Sequence, residues 1–132
     1  MWVTNNPRVN DYVEDLMNRS GCTLIGTWIW YKVAASGEPV YPLGNPHKNP
    51  SEKLLFYSSS ESPVLIEDKK IVSVPSKIHS QKPFLHSKLD EAFPKFSKKV
   101  EIFSRCVTKN WTSIGNEVLY LNDSDFYTAE NV

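Results

Sequence analysis

Polar and charged side chains follow two short apolar runs in the second half of the chain. The first run is residues 70–75 (KIVSVP) and the second is residues 100–103 (VEIF). The polar residues that come after these runs are Lys82, Arg105, Asn116 and Glu117. In an open α/β sheet, nucleotide-like ligands bind in the crevice outside the carboxyl ends of the strands. We therefore expect these side chains to converge on one crevice.

A second candidate segment is the loop at residues 41–51 (YPLGNPHKNPS). Its prolines exclude a helix or a central strand, and long irregular loops inside compact domains often carry function. His47 and Lys48 are its cationic or titratable members and could contact phosphate. A plain solvated loop is the alternative interpretation.

Length and composition indicate a single globular domain. The chain has 132 residues, with 15 Lys and Arg against 15 Asp and Glu, which excludes a nucleic-acid binder that relies on bulk charge but not one with a local basic patch. No apolar run approaches the roughly 20 residues that span a membrane, and no signal peptide is visible, so we expect neither membrane association nor secretion. Cys22 and Cys106 form no CxxC motif and are expected to be reduced. The three histidines lack the spacing of metal ligands, so no metal site is predicted.

Apolar periodicity predicts alternating helices and strands. A helix is expected from Pro7, capped by Asn6, to a stop at Gly21. Residues 22–33 predict a long strand that forms an antiparallel hairpin with a short return strand at 38–41. The tryptophans Trp28 and Trp30 could stack on bases, although aromatic residues in strands are more often core. The other predicted elements are strands at 2–5, 53–58, 70–75 and 99–104 and a helix at 83–93.

This alternation favours an α/β fold with one largely parallel sheet. The strand–helix–strand order between Lys70 and Lys99 predicts that these two strands are adjacent and parallel, joined by a right-handed crossover. Residues 122–132 are polar and acidic and are expected to fray.

An ordered series of motifs runs through nearly the whole chain. Its members are WVTN at 2–5, WIWYK at 28–32, GEPV at 37–40, PHK at 46–48, IVSVP at 71–75, HSQKP at 79–83, VEIFSR at 100–105 and WTSIGNEV at 111–118. The HSQKP segment resembles the one that precedes the helix bordering the cofactor pocket in amino-group DNA methyltransferases of the β type. In this order, the motifs resemble the C-terminal half of the N6-adenine methyltransferase family, which includes the messenger-RNA adenosine methyltransferase, and most closely its methyltransferase-like 4 branch.

The resemblance implies a partial Rossmann-like fold of the permuted β type, with residues 1–121 as the C-terminal part of the methyltransferase domain and 122–132 as a tail. It implies S-adenosylmethionine as cofactor and adenine in RNA, or possibly DNA, as acceptor. It also implies a nuclear location, with the cytoplasm as the alternative.

By position, the resemblance assigns Lys82 to the carboxylate end of the cofactor and Arg105 to its ribose. Asn116 and Glu117 would bind the ribose hydroxyls or the adenine edge. These residue types suit that chemistry, because amide and carboxylate oxygens accept hydrogen bonds from vicinal hydroxyls and cations hold a carboxylate. His47 and Lys48 would belong to the nucleic-acid contact.

The chain departs from the family in one motif that matters for chemistry. Asp-Pro-Pro-Trp, which in the family grips the target amino group and stacks on the base, is absent from the 132 residues, so no catalytic residue is assigned. The family's Lys-Pro-Tyr-Glu is replaced by Asn49-Pro50-Ser51-Glu52. We expect a fragment whose N-terminal half or partner methyltransferase subunit is missing and which is inactive alone. The alternative is a non-catalytic nucleic-acid-binding or partner subunit derived from the family.

Overall fold

The computed structural model describes residues 1–4, 6–45, 48–75, 82–93, 98–116 and 118. The chain divides into two compact units, Met1–Pro75 and Ser76–Val132. The first unit contains β1 (Trp2–Thr4), α1 (Pro7–Arg19), β2 (Thr23–Lys32), β3 (Ser51–Ser58) and β4 (Lys69–Ser73). The second contains α2 (His86–Ala92), β5 (Val100–Ile102) and β6 (Thr112–Ile114). In the described ranges, no helix has the length and apolar character that crossing a membrane requires.

The helix α1 begins and ends where its local signals predict. Asn6 has an extended backbone, and its Oδ1 accepts a hydrogen bond from the Arg8 amide at 3.0 Å, while Pro7 occupies the first turn. Gly21, with a φ of 73°, follows the last turn in the left-handed conformation that ends many helices. Val13 and Met17, one turn apart, are the buried residues of the helix.

The sheet of the first unit is mixed, which corrects the expected largely parallel sheet. Its strand order is β1-β3-β2-β4. The pairings of β1 with β3 and of β2 with β3 are antiparallel, and only β2 with β4 is parallel. A parallel pair needs a crossover, usually a helix, between its strands. The described residues between β2 and β3 contain no helix, so β3 returns antiparallel to β2.

The predicted antiparallel hairpin after β2 is present in a reduced form. Val33 and Pro39 form an isolated antiparallel bridge, and the Ala34 amide donates to the Glu38 carbonyl at 2.7 Å. Gly37 adopts a φ of 89° in the turn. The return strand is a single bridge, closed on its other side by the Val40 amide, which donates to the Lys32 carbonyl at 3.1 Å.

The tryptophans of the first unit are core residues. Trp28 and Trp30 are 6% and 2% exposed. The Trp30 ring packs edge-on against Trp2, with centroids 5.9 Å apart, and its Nε1 donates to Ser73 Oγ at 2.7 Å. Trp28 Nε1 donates to the Glu67 carbonyl at 3.0 Å. Burial and satisfied ring nitrogens support the core interpretation and leave these faces unavailable to stack on bases.

The prediction of one sheet, with the strands at Lys70 and Lys99 adjacent and parallel, is wrong. In the described residues β4 pairs with β2, and β5 pairs in parallel with β6, which the sequence did not predict. The ten-residue strand β2 offers two edges, and β3 occupies one and β4 the other. Pairing preferences of this kind depend on the whole sheet and not on the alternation of elements along the chain.

Candidate functional site

The carboxyl ends of β5 and β6 lie at the same edge of their sheet. The two strands are parallel, with Ile102 opposite Ile114. The chain after each strand carries one of the predicted site residues, Arg105 after β5 and Asn116 after β6. The Ser104 amide donates to the Ile114 carbonyl at 2.9 Å, which joins the two segments beyond the strand ends.

Gly115 brings the two segments into direct contact. A Cβ atom at Gly115 would lie 2.1 Å from the Ser104 carbonyl oxygen, far inside van der Waals contact. Only glycine therefore fits this close approach. The residues that precede Arg105 and Asn116 touch each other, and the structure brings these two positions together at the strand ends, as an α/β ligand site requires.

The predicted cofactor residues that the structure describes differ in exposure. Arg105 is half-buried, and Asn116 is exposed. Lys82 is half-buried and lies four residues before α2 in the same unit. Glu117 lies outside the described residues. Convergence of these side chains on one crevice remains a prediction.

The proline-rich loop belongs to the first unit. Lys48 is exposed, its amide donates to Asn45 Oδ1 at 3.2 Å, and its Nζ lies 5.0 Å from the centroid of the Tyr41 ring. His47 lies outside the described residues. An exposed cation over an aromatic face is compatible with a phosphate or base contact, but that role remains a prediction.

Sequence reasoning missed a buried polar cluster in the second unit. Glu101, on β5, is 8% exposed, and its Oε2 lies 2.9 Å from His86 Nε2 and 3.1 Å from Ser104 Oγ. Ser104 Oγ also lies 2.7 Å from the Cys106 carbonyl, so its single proton is shared between two acceptors. We call His86, Glu101 and Ser104 the Glu101 network. Its one sequence signal was an acidic residue inside the apolar run at 100–103.

The order of contacts in the Glu101 network excludes nucleophilic chemistry of the serine–histidine type. In that chemistry the imidazole bonds to the hydroxyl and takes its proton. Here the carboxylate lies between the other two groups, and Ser104 Oγ bonds to Glu101 and not to His86. The contacts of the network instead join the start of α2, the strand β5 and the turn that follows β5.

Aromatic and charged side chains pack around the network. The His86 ring lies 4.9 Å from Trp111, edge to face, and 4.9 Å from Phe84. Trp111 Nε1 donates to Asp90 Oδ1 at 3.1 Å, and Lys99 Nζ pairs with the same oxygen. These contacts tie α2 to the residues that immediately precede β5 and β6.

The described residues offer no metal site. No group of three His, Cys, Asp or Glu side chains in these ranges is placed to hold an ion. Cys22 and Cys106 are free thiols, the first half-buried and the second buried.

Comparison with known proteins identifies the relatives of the chain. The chain is 33% identical to the N6-methyladenosine RNA methyltransferase MTA1 of Pyricularia oryzae, over 99% of the chain and 37% of that protein. It is 36% identical to the human N(6)-adenine-specific methyltransferase METTL4, over 97% of the chain and 30% of that protein. It is 29% identical to the DNA N6-methyl methyltransferase of Caenorhabditis elegans, over 96% of the chain and 36% of that protein.

The chain thus spans about a third of the length of these curated relatives. Residues 1–117 match the sequence profile of one family, MT-A70. The match covers nearly all of the chain and includes the strands, the loop at 41–51 and the segments that carry Arg105 and Asn116. The resemblance to N6-adenine methyltransferases is confirmed, and the chain belongs to the MT-A70 family.

Proposed function

We propose that the chain supplies the cofactor-binding side of an S-adenosylmethionine-dependent N6-adenine methyltransferase that acts on RNA or possibly DNA. The observation that supports this proposal is the placement of Arg105 and Asn116 after the carboxyl ends of two adjacent parallel strands. Among the relatives, the fungal protein is named for RNA and the nematode protein for DNA, so both acceptors are considered. On family resemblance alone, we expect a nuclear location, with the cytoplasm as the alternative.

The residues after the strands suit the proposed cofactor in their donor chemistry. Lys82 would hold the carboxylate of its amino-acid end, Arg105 would contact the ribose, and Asn116 and Glu117 would bind the hydroxyls or the adenine edge. When bound, S-adenosylmethionine supplies an electrophilic methyl group. The contribution of this chain is to bind and orient that cofactor.

The acceptor would be held in part by the loop at 41–51. His47 and Lys48 would contact the phosphate backbone of the nucleic acid, where a lysine acts as a point charge. Lys48 beside the Tyr41 ring supports this assignment, because such a pair can present both a cation and an aromatic surface.

The chain alone is expected not to transfer a methyl group. The amino group of adenine is a weak nucleophile because its lone pair is delocalised into the ring. An enzyme must extrude and stack the base and accept hydrogen bonds from the amino group. No Asp-Pro-Pro-Trp motif occurs in the 132 residues, and its absence should reduce the rate by roughly 10³-fold or more. An N-terminal half or a partner methyltransferase subunit would supply these groups.

The alternative is a non-catalytic subunit that binds nucleic acid or a partner methyltransferase. The same missing motif supports it, together with Asn49-Pro50-Ser51-Glu52 in place of the family's Lys-Pro-Tyr-Glu. The two proposals differ in cofactor binding. A cofactor-side half must bind S-adenosylmethionine, whereas a non-catalytic subunit binds an adenine-containing oligonucleotide without it.

Equilibrium dialysis of the purified chain against radiolabelled S-adenosylmethionine tests the cofactor assignment. We expect saturable binding that is weakened by Lys82→Ala, Arg105→Ala and Asn116→Ala. Lys98→Ala is the control, because it removes an exposed cation of the same unit that has no proposed role. Absence of saturable binding at millimolar cofactor, with oligonucleotide binding retained, would favour the alternative.

A transfer assay tests the expected inactivity. The chain is incubated with methyl-labelled cofactor and adenine-containing RNA and DNA oligonucleotides, beside a heat-killed control. We expect no label in either oligonucleotide. Label above the control that disappears in Asn116→Ala would mean that a catalytic group lies in these residues.

A further inference from the structure

The buried carboxylate of Glu101 lies where three segments of the second unit meet. One segment leads from Lys82 into α2 and contributes His86. The second is the turn after β5, which contributes Ser104 and carries Arg105. The third leaves β6 at Gly115 and carries Asn116. Lys82 lies four residues before His86, and Arg105 follows Ser104 directly. Asn116 follows Gly115, whose backbone lies against Ser104.

The turn that carries Arg105 needs support from outside itself. Phe103, 45% exposed, adopts a φ of 62°, a conformation that bulky side chains rarely take. Such a conformation persists when the surrounding contacts determine it. The next residue, Ser104, is only 1% exposed, and its hydroxyl bridges Glu101 Oε2 and the Cys106 carbonyl on either side of Arg105.

The same serine links this turn to β6. Its amide donates to the Ile114 carbonyl at 2.9 Å, and its carbonyl oxygen lies against Gly115. Displacing Ser104 would therefore displace the backbone on both sides, towards Arg105 and towards Asn116.

His86 fixes the other side of Glu101. Its Nε2 lies 2.9 Å from Glu101 Oε2, and its ring contacts both Phe84 and Trp111. Both partners of the pair are about nine-tenths buried. A buried carboxylate that keeps two hydrogen-bonding partners resists reorientation, because losing either partner leaves a desolvated polar group.

We infer that His86, Glu101 and Ser104 are positioning residues that hold the Arg105 turn and the Asn116 segment in the conformation that binds cofactor. The inference rests on the proposed function, because it assigns the network to the same cofactor site. The network acts through Arg105 and Asn116 and does not itself contact the cofactor.

A double-mutant cycle in the 132-residue chain tests this role, with the dissociation constant of S-adenosylmethionine as the readout. Ser104→Ala should weaken binding about tenfold, the effect of losing one buried hydrogen-bonding anchor. In a background that carries both Arg105→Ala and Asn116→Ala, the same change should weaken binding no more than about twofold, since the residues it positions are gone. A purely structural role would lower affinity equally in both backgrounds.

Two further variants separate positioning from loss of folding. Glu101→Gln keeps an oxygen that can accept from both His86 and Ser104, so its affinity should stay within about threefold of the parent chain, whereas Glu101→Ala should behave like Ser104→Ala. Ser113→Ala is the matched control: it removes a buried hydroxyl that has no hydrogen-bond partner among the described residues, and affinity should not change.

The possible outcomes separate the positioning role of the Glu101 network from the proposed binding of S-adenosylmethionine. No saturable binding by the parent chain overturns both. Binding that Arg105→Ala weakens but Ser104→Ala leaves unchanged overturns only the positioning role, as do additive effects in the cycle. Circular dichroism of each variant at the assay temperature verifies that the folded state is compared in every case.

Discussion

The two compact units of this chain bury different kinds of side chain. In the first unit the buried residues are mainly apolar, and the sheet core holds three tryptophans. In the second, His86, Glu101, Ser104 and Thr108 are buried beside Leu85 and Leu89. Apolar contacts stabilise without a strict direction, whereas hydrogen bonds fix the orientation of the groups that they join. The first unit is therefore built for stability, and the second for holding loops in fixed positions.

The largest effect is expected in the apolar core of the first unit. Trp30→Ala removes a 2% exposed ring that packs on Trp2 and donates to Ser73, so it should lower the free energy of unfolding by about 3–5 kcal/mol. Urea unfolding followed by circular dichroism measures the loss.

Tyr12→Ala is the control, because that aromatic ring is 63% exposed on α1 and its removal should cost less than about 0.5 kcal/mol. Comparable losses for the two variants would show that the tryptophan cluster does not dominate the stability of this unit.

A pair of glycine substitutions compares the two units directly. At Gly115 a Cβ would lie 2.1 Å from the Ser104 oxygen, and at Gly26 it would lie 2.7 Å from the Ile66 Cβ and carbonyl oxygen. Both Gly115→Ala and Gly26→Ala force backbone to move and should cost about 1–3 kcal/mol. Thermal unfolding and cofactor dialysis of both variants provide the two measurements.

Only Gly115→Ala should also weaken S-adenosylmethionine binding, because only its neighbour Ser104 leads into the Arg105 turn. Equal loss of affinity in Gly26→Ala would contradict the separation of stability and positioning between the units.

Helices and strands with local sequence signals could be predicted, whereas the pairing of the strands could not. Asn6, Pro7 and Gly21 mark the ends of α1, and apolar runs mark β2, β3 and β4. Strand pairing was predicted wrongly, because a parallel partner for residues 70–75 was sought in the next strand–helix–strand unit. The actual partner is β2. Since β3 pairs with one edge of β2, the other edge is left for β4, and no local sequence pattern indicates this arrangement.

The candidate site was predictable only in part, for a related reason. Arg105 stands out because it follows the apolar run at 100–103, and the family resemblance gives Arg105 and Asn116 their roles. Glu101 and His86 were missed because their partnership joins residues 15 positions apart. A charged residue in an apolar run is usually interpreted as solvent-facing, and only the structure shows that this one is buried with a partner.

The hydroxyls of two half-buried serines, one in each unit, give a smaller effect. Ser73 Oγ accepts the indole hydrogen of Trp30, so Ser73→Ala leaves a buried donor without its partner and should cost about 1–2 kcal/mol. Ser113 Oγ has no hydrogen-bond partner in the described part of the chain, so Ser113→Ala should leave the free energy of unfolding nearly unchanged. Urea titrations of both variants measure the difference. A larger loss in Ser113→Ala would indicate that this hydroxyl has a bound partner, such as an internal water.

The smallest effect is expected at an exposed ion pair of the first unit. Asp15 and Arg19 pair one turn apart on α1, with side chains 60% and 69% exposed. Such pairs gain little in water, because solvent screens the attraction and ordering two long side chains costs entropy, so Asp15→Ala should cost less than about 0.5 kcal/mol.

Glu52→Ala is the comparison, since Glu52 pairs with Lys32 where their side chains are only 14% and 21% exposed. Breaking that pair leaves a lysine partly desolvated and should cost more. Chemical unfolding in low and high salt measures both losses. If Asp15→Ala were as costly as Glu52→Ala, an exposed ion pair would stabilise the first unit as much as a half-buried one, and solvent screening would not explain the difference expected here.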